Sequence, residues 1–200
     1  EHTSSRVGLF GGTFDPPHLG HVTVACEIAD YLQLNKLVWI PAGNPPHKQA
    51  GEITPAGLRL EMARSAALID CRFEVSTVEI DRPGPSYTLE TVRRFHADLP
   101  DSQLFLILGA DQVRDFHTWR EPERIIEIVQ LAVMDRQGNS VVPAMTAFPG
   151  ASNPVHVPVT RLDISSTRIR AMIQANDDPR GLIPEAVGRI IARERLYSGS

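Results

Sequence analysis

Apolar positions along this chain fall into two rhythms. Short continuous runs come first: Val7-Gly8-Leu9-Phe10, Leu37-Val38-Trp39-Ile40 and Leu104-Phe105-Leu106-Ile107-Leu108. They are too short for helices and have the unbroken apolar character of strands buried on both faces. They predict strands over 6–10, 36–40 and 104–108, with further strands over 129–134 and 155–157 and an extended stretch over 73–80. Between them, apolar residues recur at helical spacing, as in Val22, Ala25, Ile28, Ala29 and Leu32. Helices are expected over 19–32, 55–69 with Thr54 as N-cap, 87–97, 122–128, 165–174 and 184–194. Residues 137–154 are weakly patterned.

Strand alternating with helix implies an α/β fold: a Rossmann-like, doubly wound, mostly parallel sheet with helices on both faces. No repeat or linker divides residues 1–200, so a single domain is expected, with residues 1–5 outside its folded body. In such sheets ligands bind beyond the carboxyl ends of the strands, near the point where strand order reverses. The chemically unusual residues collect there. Gly11 to His21 follows the first predicted strand and Gly43 to Lys48 the second. Gly109-Ala110-Asp111 follows the strand over 104–108, and Asp135-Arg136 the next.

Composition narrows the choice. The net charge of −4 and the lack of a dense Lys/Arg tract argue against a nucleic-acid polymer as partner. No apolar run approaches the ~20 residues that cross a bilayer, and Glu1 to Arg6 has no signal-peptide core. Cys26 and Cys71 read as two reduced, buried thiols of a cytoplasmic protein. Self-association is left open.

Gly11-Gly12 sits where a strand turns into a helix. Adjacent glycines admit a ligand close to the backbone, and their N–H groups with the helix N-terminus form a nest for anions. His18 and His21, three apart, share one side of the first helical turn. Imidazoles beside oriented donors suit a phosphate on which charge develops. Gly-Gly alone is also an ordinary turn. Zinc would need a third and fourth ligand at useful spacing, which the sequence lacks, so no metal site is assigned. Neither the dinucleotide fingerprint nor the Walker loop is matched.

Other stretches carry two readings each. Asn44, His47 and Lys48 in a Pro-rich loop suit a phosphate, or are simply solvated. Ser86-Tyr87-Thr88 caps a helix or meets a carboxylate. Gly109 with Asp111 suits ribose hydroxyls, or Asp111 caps a helix. Trp119 is a core aromatic or a ring partner. Ser165, Ser166, Thr167 and Arg168 open a helix as a second anion site, or as a cap beside a surface charge.

Gly11-Gly12-Thr13-Phe14-Asp15-Pro16-Pro17-His18-Leu19-Gly20-His21 resembles the signature of nucleotidyltransferases marked by (His/Thr)-x-Gly-His. It is most similar to the bacterial nicotinate-nucleotide adenylyltransferase family. Ile164-Ser165-Ser166-Thr167-Arg168-Ile169-Arg170 is similar to that family's second motif, so the resemblance spans residues 8–170. It implies that ATP meets Gly11, Gly12, Thr13, Phe14, His18, His21, Gly109, Asp111 and Arg136, with Ser165 to Arg168 on its phosphates. It implies that the mononucleotide meets Asn44, His47, Lys48, Ser86, Tyr87, Thr88, Trp119 and Arg120. Arg120 stands where relatives often place an aromatic.

The implied reaction moves AMP from ATP to nicotinate mononucleotide, with His18, His21, Lys48 and Arg168 as catalytic residues. Mg²⁺ is expected on the substrate phosphates rather than in a protein cage. Two alternatives stay open. One is an adenylyltransferase for nicotinamide mononucleotide or 4′-phosphopantetheine; the other is an inactive nucleotide-binding sensor.

Overall fold

The computed structural model describes residues 4–44, 53–135 and 153–198. Their strands are β1 (Arg6–Gly12), β2 (Lys36–Pro41), β3 (Phe73–Val75), β4 (Gln103–Gly109), β5 (Gln130–Asp135) and β6 (Val155–Pro158). All pair in parallel in one sheet of order β3-β2-β1-β4-β5-β6. The order reverses between β1 and β4, whose register sets Leu9 beside Leu106. That junction is the switch point where such sheets open a crevice.

Strand alternation sorts the core into two layers. Phe10, Leu37, Trp39, Phe105, Ile107, Ala132 and Met134 face one side. There they meet α1 (Leu19–Tyr31), α2 (Ala56–Ala67), α6 (Ser166–Gln174) and α7 (Glu185–Glu194). Leu9, Val38, Ile40, Leu106, Leu108, Leu131 and Val133 face the other side. They meet α3 (Thr88–Asp98), α4 (Ala110–Asp115) and α5 (Pro122–Ile126). Both faces are buried, which is why the central strands read as continuous apolar runs.

Some expectations are corrected. The stretch over 73–80 is a strand only at Phe73–Val75. After Ser76 donates to Trp39, the chain turns, with the Asp81 N–H bonded to the Thr77 carbonyl at 2.9 Å. Thr54 does not cap α2: Pro55 holds the N-cap position without a side-chain bond. The hydroxyl of Thr54 donates instead to the Tyr197 hydroxyl at 3.2 Å. The short α4 and the 3-10 turn Phe116–Thr118 lie between β4 and α5, where the sequence pattern assigns no element. Cys71 is exposed and Cys26 only half-buried, so the thiols are not a buried pair.

Candidate active site

β1 ends in the two glycines, and the backbone then folds back sharply. Phe14 adopts a left-handed conformation at φ 51°, and the Asp15–Pro16 peptide is cis. The Phe14 ring is buried in an aromatic cluster, 5.6 Å from Phe10 and 4.9 Å from Trp39 by centroid. A Cβ on Gly12 would stand 2.9 Å from that ring, so Gly12 exists to let Phe14 pass beneath the turn. A Cβ on Gly11 would meet nothing within 4 Å. Gly11 is thus the glycine whose missing side chain leaves open space for a ligand, while the Phe14 side chain faces the core.

The histidines begin α1 as a reciprocal cap. His18 is the N-cap, and its Nδ1 accepts the His21 N–H at 3.3 Å. The His21 Nδ1 in turn accepts the His18 N–H at 3.2 Å. This is a capping box built from imidazoles instead of Ser/Thr and Glu/Gln. It stacks the rings with centroids 3.7 Å apart. Because each Nδ1 accepts a backbone N–H, a neutral ring carries its proton on Nε2. The fold therefore prescribes the tautomer, and both rings are donors at Nε2.

A second helix N-terminus converges on this turn. Ser165 caps α6, accepting the Arg168 N–H at 3.2 Å. Ser166 donates its hydroxyl to the Pro16 carbonyl at 2.9 Å, and Arg170 donates to the Asp15 carbonyl at 2.8 Å. These contacts hold the second motif against the first. Arg168 is exposed and pairs with Asp163 at 3.0 Å.

On the other side of Gly11 and Gly12 a cavity of about 550 Å³ opens over the ends of β1 and β4. Gly11, Gly12, Thr13, Ser86, Tyr87, Thr88, Asp111, Trp119 and Arg120 all line it. The cavity thus gathers nine of the residues expected around ATP and the mononucleotide, whereas Phe14, His18, His21, Gly109, Asn44 and Ser165 to Arg168 lie outside its lining. Trp119 is half-buried against Phe116 at 5.3 Å, serving core and cavity at once. The Arg120 guanidinium lies over the Tyr87 ring, 4.9 Å from its centroid, and is half exposed beside Glu121. Asp111 sits on the first turn of α4 and pairs with Arg114 at 2.5 Å. It is not a cap. Gly109 holds that position, donating its N–H to the Gln112 side chain at 2.9 Å.

Tyr87 is the N-cap of α3 and offers no side-chain bond, so nothing on that side chain covers the first N–H groups of the helix. Ser86 spans two loops, accepting N–H bonds from Gly43 at 3.2 Å and Asn44 at 3.4 Å. Gly43 permits this closeness, since a Cβ there would lie 2.1 Å from the Glu79 carbonyl oxygen. His47, Lys48 and Arg136 lie outside the described residues.

Glu79 also lines the cavity and had no part in the sequence-based expectation. Its carboxylate accepts the Thr91 hydroxyl at 2.8 Å. Burial pushes the Glu79 carboxyl above the usual range, opposed by hydrogen bonds from Thr91 and Ser86 and by the charge of Arg82. A carboxyl raised on folding contributes stability below its unfolded value, ~4.3 for Glu. That contribution is lost as pH rises through the folded value. Glu79→Gln is therefore expected to raise Tm at neutral pH, with the gain shrinking below about pH 4. Thermal melts at both pH values check this; an equal shift at both would trace the effect to packing instead.

Among the described residues no group of three or more His, Cys, Asp or Glu is placed to hold a metal ion, and no helix is long and apolar enough to cross a membrane.

Residues 9–172 match the cytidylyltransferase-like family. A relative from Thermus thermophilus, named a "probable nicotinate-nucleotide adenylyltransferase", is 41% identical over 192 residues, covering 96% of this chain and 99% of its own. One of the same name from Geobacillus thermodenitrificans is 38% identical over 192 residues, covering 96% and 86%. In three dimensions the chain is similar to the Plasmodium falciparum nicotinic acid mononucleotide adenylyltransferase complexed with NaAD. The TM-score is 0.79 at 17% identity, over 96% of this chain and 97% of that one. Identity of this order over nearly the full length of both chains, on the fold and the histidine-capped turn just described, means that the protein belongs to the nicotinate-nucleotide adenylyltransferase family.

Proposed function

We propose that this chain, as one nucleotidyltransferase domain, transfers AMP from ATP to nicotinate mononucleotide, giving the deamido dinucleotide that precedes NAD, and pyrophosphate. The observation that carries the reading is the imidazole-capped turn at the switch point, next to a cavity that faces the uncapped N-terminus of α3. The mononucleotide's 5′-phosphate oxygen attacks the α-phosphorus in line. A P–O bond forms there as the bond to the β,γ-pyrophosphate breaks.

Catalysis of this kind is positioning plus stabilisation of shifting charge. His18 and His21 donate from Nε2 to the α-phosphate and bridging oxygens. Lys48 and Arg168 neutralise the leaving pyrophosphate, and the N–H groups of Gly11 to Thr13 cradle the polyphosphate. No described residue cluster would hold Mg²⁺, which would be bound mainly by the phosphates of ATP and water and would supply neutralisation of the polyphosphate. Two free thiols fit a reducing compartment, and the cytoplasm is where we place the reaction.

The N–H groups opening α3 favour the nicotinate carboxylate over an amide. A preference above tenfold in kcat/KM is expected, which requires only ~1.4 kcal/mol of differential binding. Arg120 is half exposed and screened, so Arg120→Ala is expected to keep the preference. A second reading, use of the amide mononucleotide, draws on Glu79, a carboxylate in the same cavity able to accept an amide N–H. Pyrophosphate release from ATP with each mononucleotide decides between them. Equal kcat/KM in wild type would refute the acid assignment, and loss of preference only in Arg120→Ala would move the discrimination to that side chain.

A further inference from the structure

Arg59 lies on the apolar stripe of α2 with Met62, Ala63 and Ala66 and is 0% exposed. A guanidinium so deep must have its donors satisfied, and the way they are satisfied is specific. Nε donates to the Thr54 carbonyl at 2.9 Å, Nη1 to the Thr13 carbonyl at 2.9 Å and Nη2 to the Gly43 carbonyl at 3.1 Å. The three acceptors belong to different stretches. Thr13 is in the turn after β1 that receives ATP in our reading. Gly43 is in the loop after β2 assigned to the mononucleotide. Thr54 is two residues before α2.

The opposing charge is local. Asp15 is 2% exposed, its carboxylate accepting the Thr54 N–H at 3.2 Å and the Tyr197 hydroxyl at 2.5 Å. Arg59, Asp15, Thr54 and Tyr197 do not line the cavity.

We propose that Arg59 is a positioning residue for the transfer, fixing the distance between the two substrate-bearing loops through its rigid fork. In-line attack requires the two reacting phosphates at ~3–3.5 Å, and a misplacement of ~1 Å costs on the order of 10²-fold in rate. Each loop can still bind its own ligand when the fork is lost. What suffers is their mutual placement. Lysine keeps the charge opposite Asp15 but is a point donor and cannot span three carbonyls.

The inference rests on the transfer reading. In Arg59→Lys, kcat per folded enzyme is expected to fall at least tenfold. The Kd of ATP alone and of nicotinate mononucleotide alone, measured by calorimetry, should stay within about threefold of wild type. A residue needed only for folding would lower Tm and the folded fraction while leaving kcat per folded enzyme intact. The double variant Asp15→Asn/Arg59→Met removes both buried charges together, and so avoids an uncompensated one if the lysine variant does not fold. It is expected to show the same split between kcat and Kd. Wild-type kcat in either folded variant overturns the proposal, as does a loss confined to the Kd of one substrate. Wild-type enzyme that releases no pyrophosphate from ATP and nicotinate mononucleotide refutes the transfer reading instead.

Discussion

His21→Ala is expected to lower turnover by ~10²–10³ with a much smaller change in ATP affinity. The imidazole is aimed at charge that appears only as the reaction proceeds, so its loss falls on kcat. The same ring holds half of the α1 cap by accepting the His18 N–H. Losing a cap costs ~1 kcal/mol, which in a chain of this size moves Tm by only ~2–4 °C. Steady-state kinetics beside a thermal melt therefore separates the roles. A large fall in kcat with a small fall in Tm is the expected pair. Turnover that declines only in step with the folded fraction would reduce His21 to a structural cap.

Gly11→Val should abolish measurable nucleotide binding, weakening it at least ~10²-fold, and leave Tm near wild type. Its Cβ enters open space at the cavity edge, and valine suits the end of a strand. Gly12→Val is expected to behave differently. There the new Cβ meets the buried Phe14 ring at 2.9 Å, and overpacking of this kind costs ~1–3 kcal/mol. It should lose stability together with binding. Calorimetry with ATP and thermal unfolding of both variants test the contrast. Unchanged affinity in a folded Gly11→Val protein would remove the turn from the ATP site.

The layering of the sheet was legible because burial on both faces leaves a plain mark, as in Leu104 to Leu108. Three-residue spacing on one helical turn predicts that His18 and His21 point the same way; His18 is instead the extended N-cap, and the two meet through the reciprocal cap. The sequence pattern misled where tertiary contacts outweigh local preference. Phe73 to Ile80 alternates like a strand, yet β3 is an edge strand, and the chain leaves it to pass over Gly43. The six residues of α4 are too few to display a full helical period, although Val113 and Phe116 are spaced to share a face. Asp111 was read as a ribose ligand or a cap; an ion pair with Arg114 on the same turn is a contact that spacing alone leaves ambiguous.

Arg59 was passed over because arginine is ordinarily a surface residue. Its signal was present in the register: a cation at the head of the stripe completed by Met62, Ala63 and Ala66 has to find acceptors inside. Glu79 was hidden for a related reason. Nothing in Val78-Glu79-Ile80 distinguishes a carboxylate turned toward a cavity from one turned toward water.

The histidine-built cap has a bearing on how this family diverges. In most enzymes a reactive side chain is lost by drift once selection on activity relaxes, and the scaffold survives unaltered. Here the reactive groups are also the start of a helix, so decay of chemistry and decay of the scaffold begin with the same substitution. A descendant that keeps the fold as a sensor recovers ~1 kcal/mol by mending the helix start. The simplest repair is Glu or Gln at position 21 opposite Ser or Thr at position 18, which restores an ordinary capping box. Such a pair in a related sequence would mark retired catalysis more reliably than the absence of histidine alone.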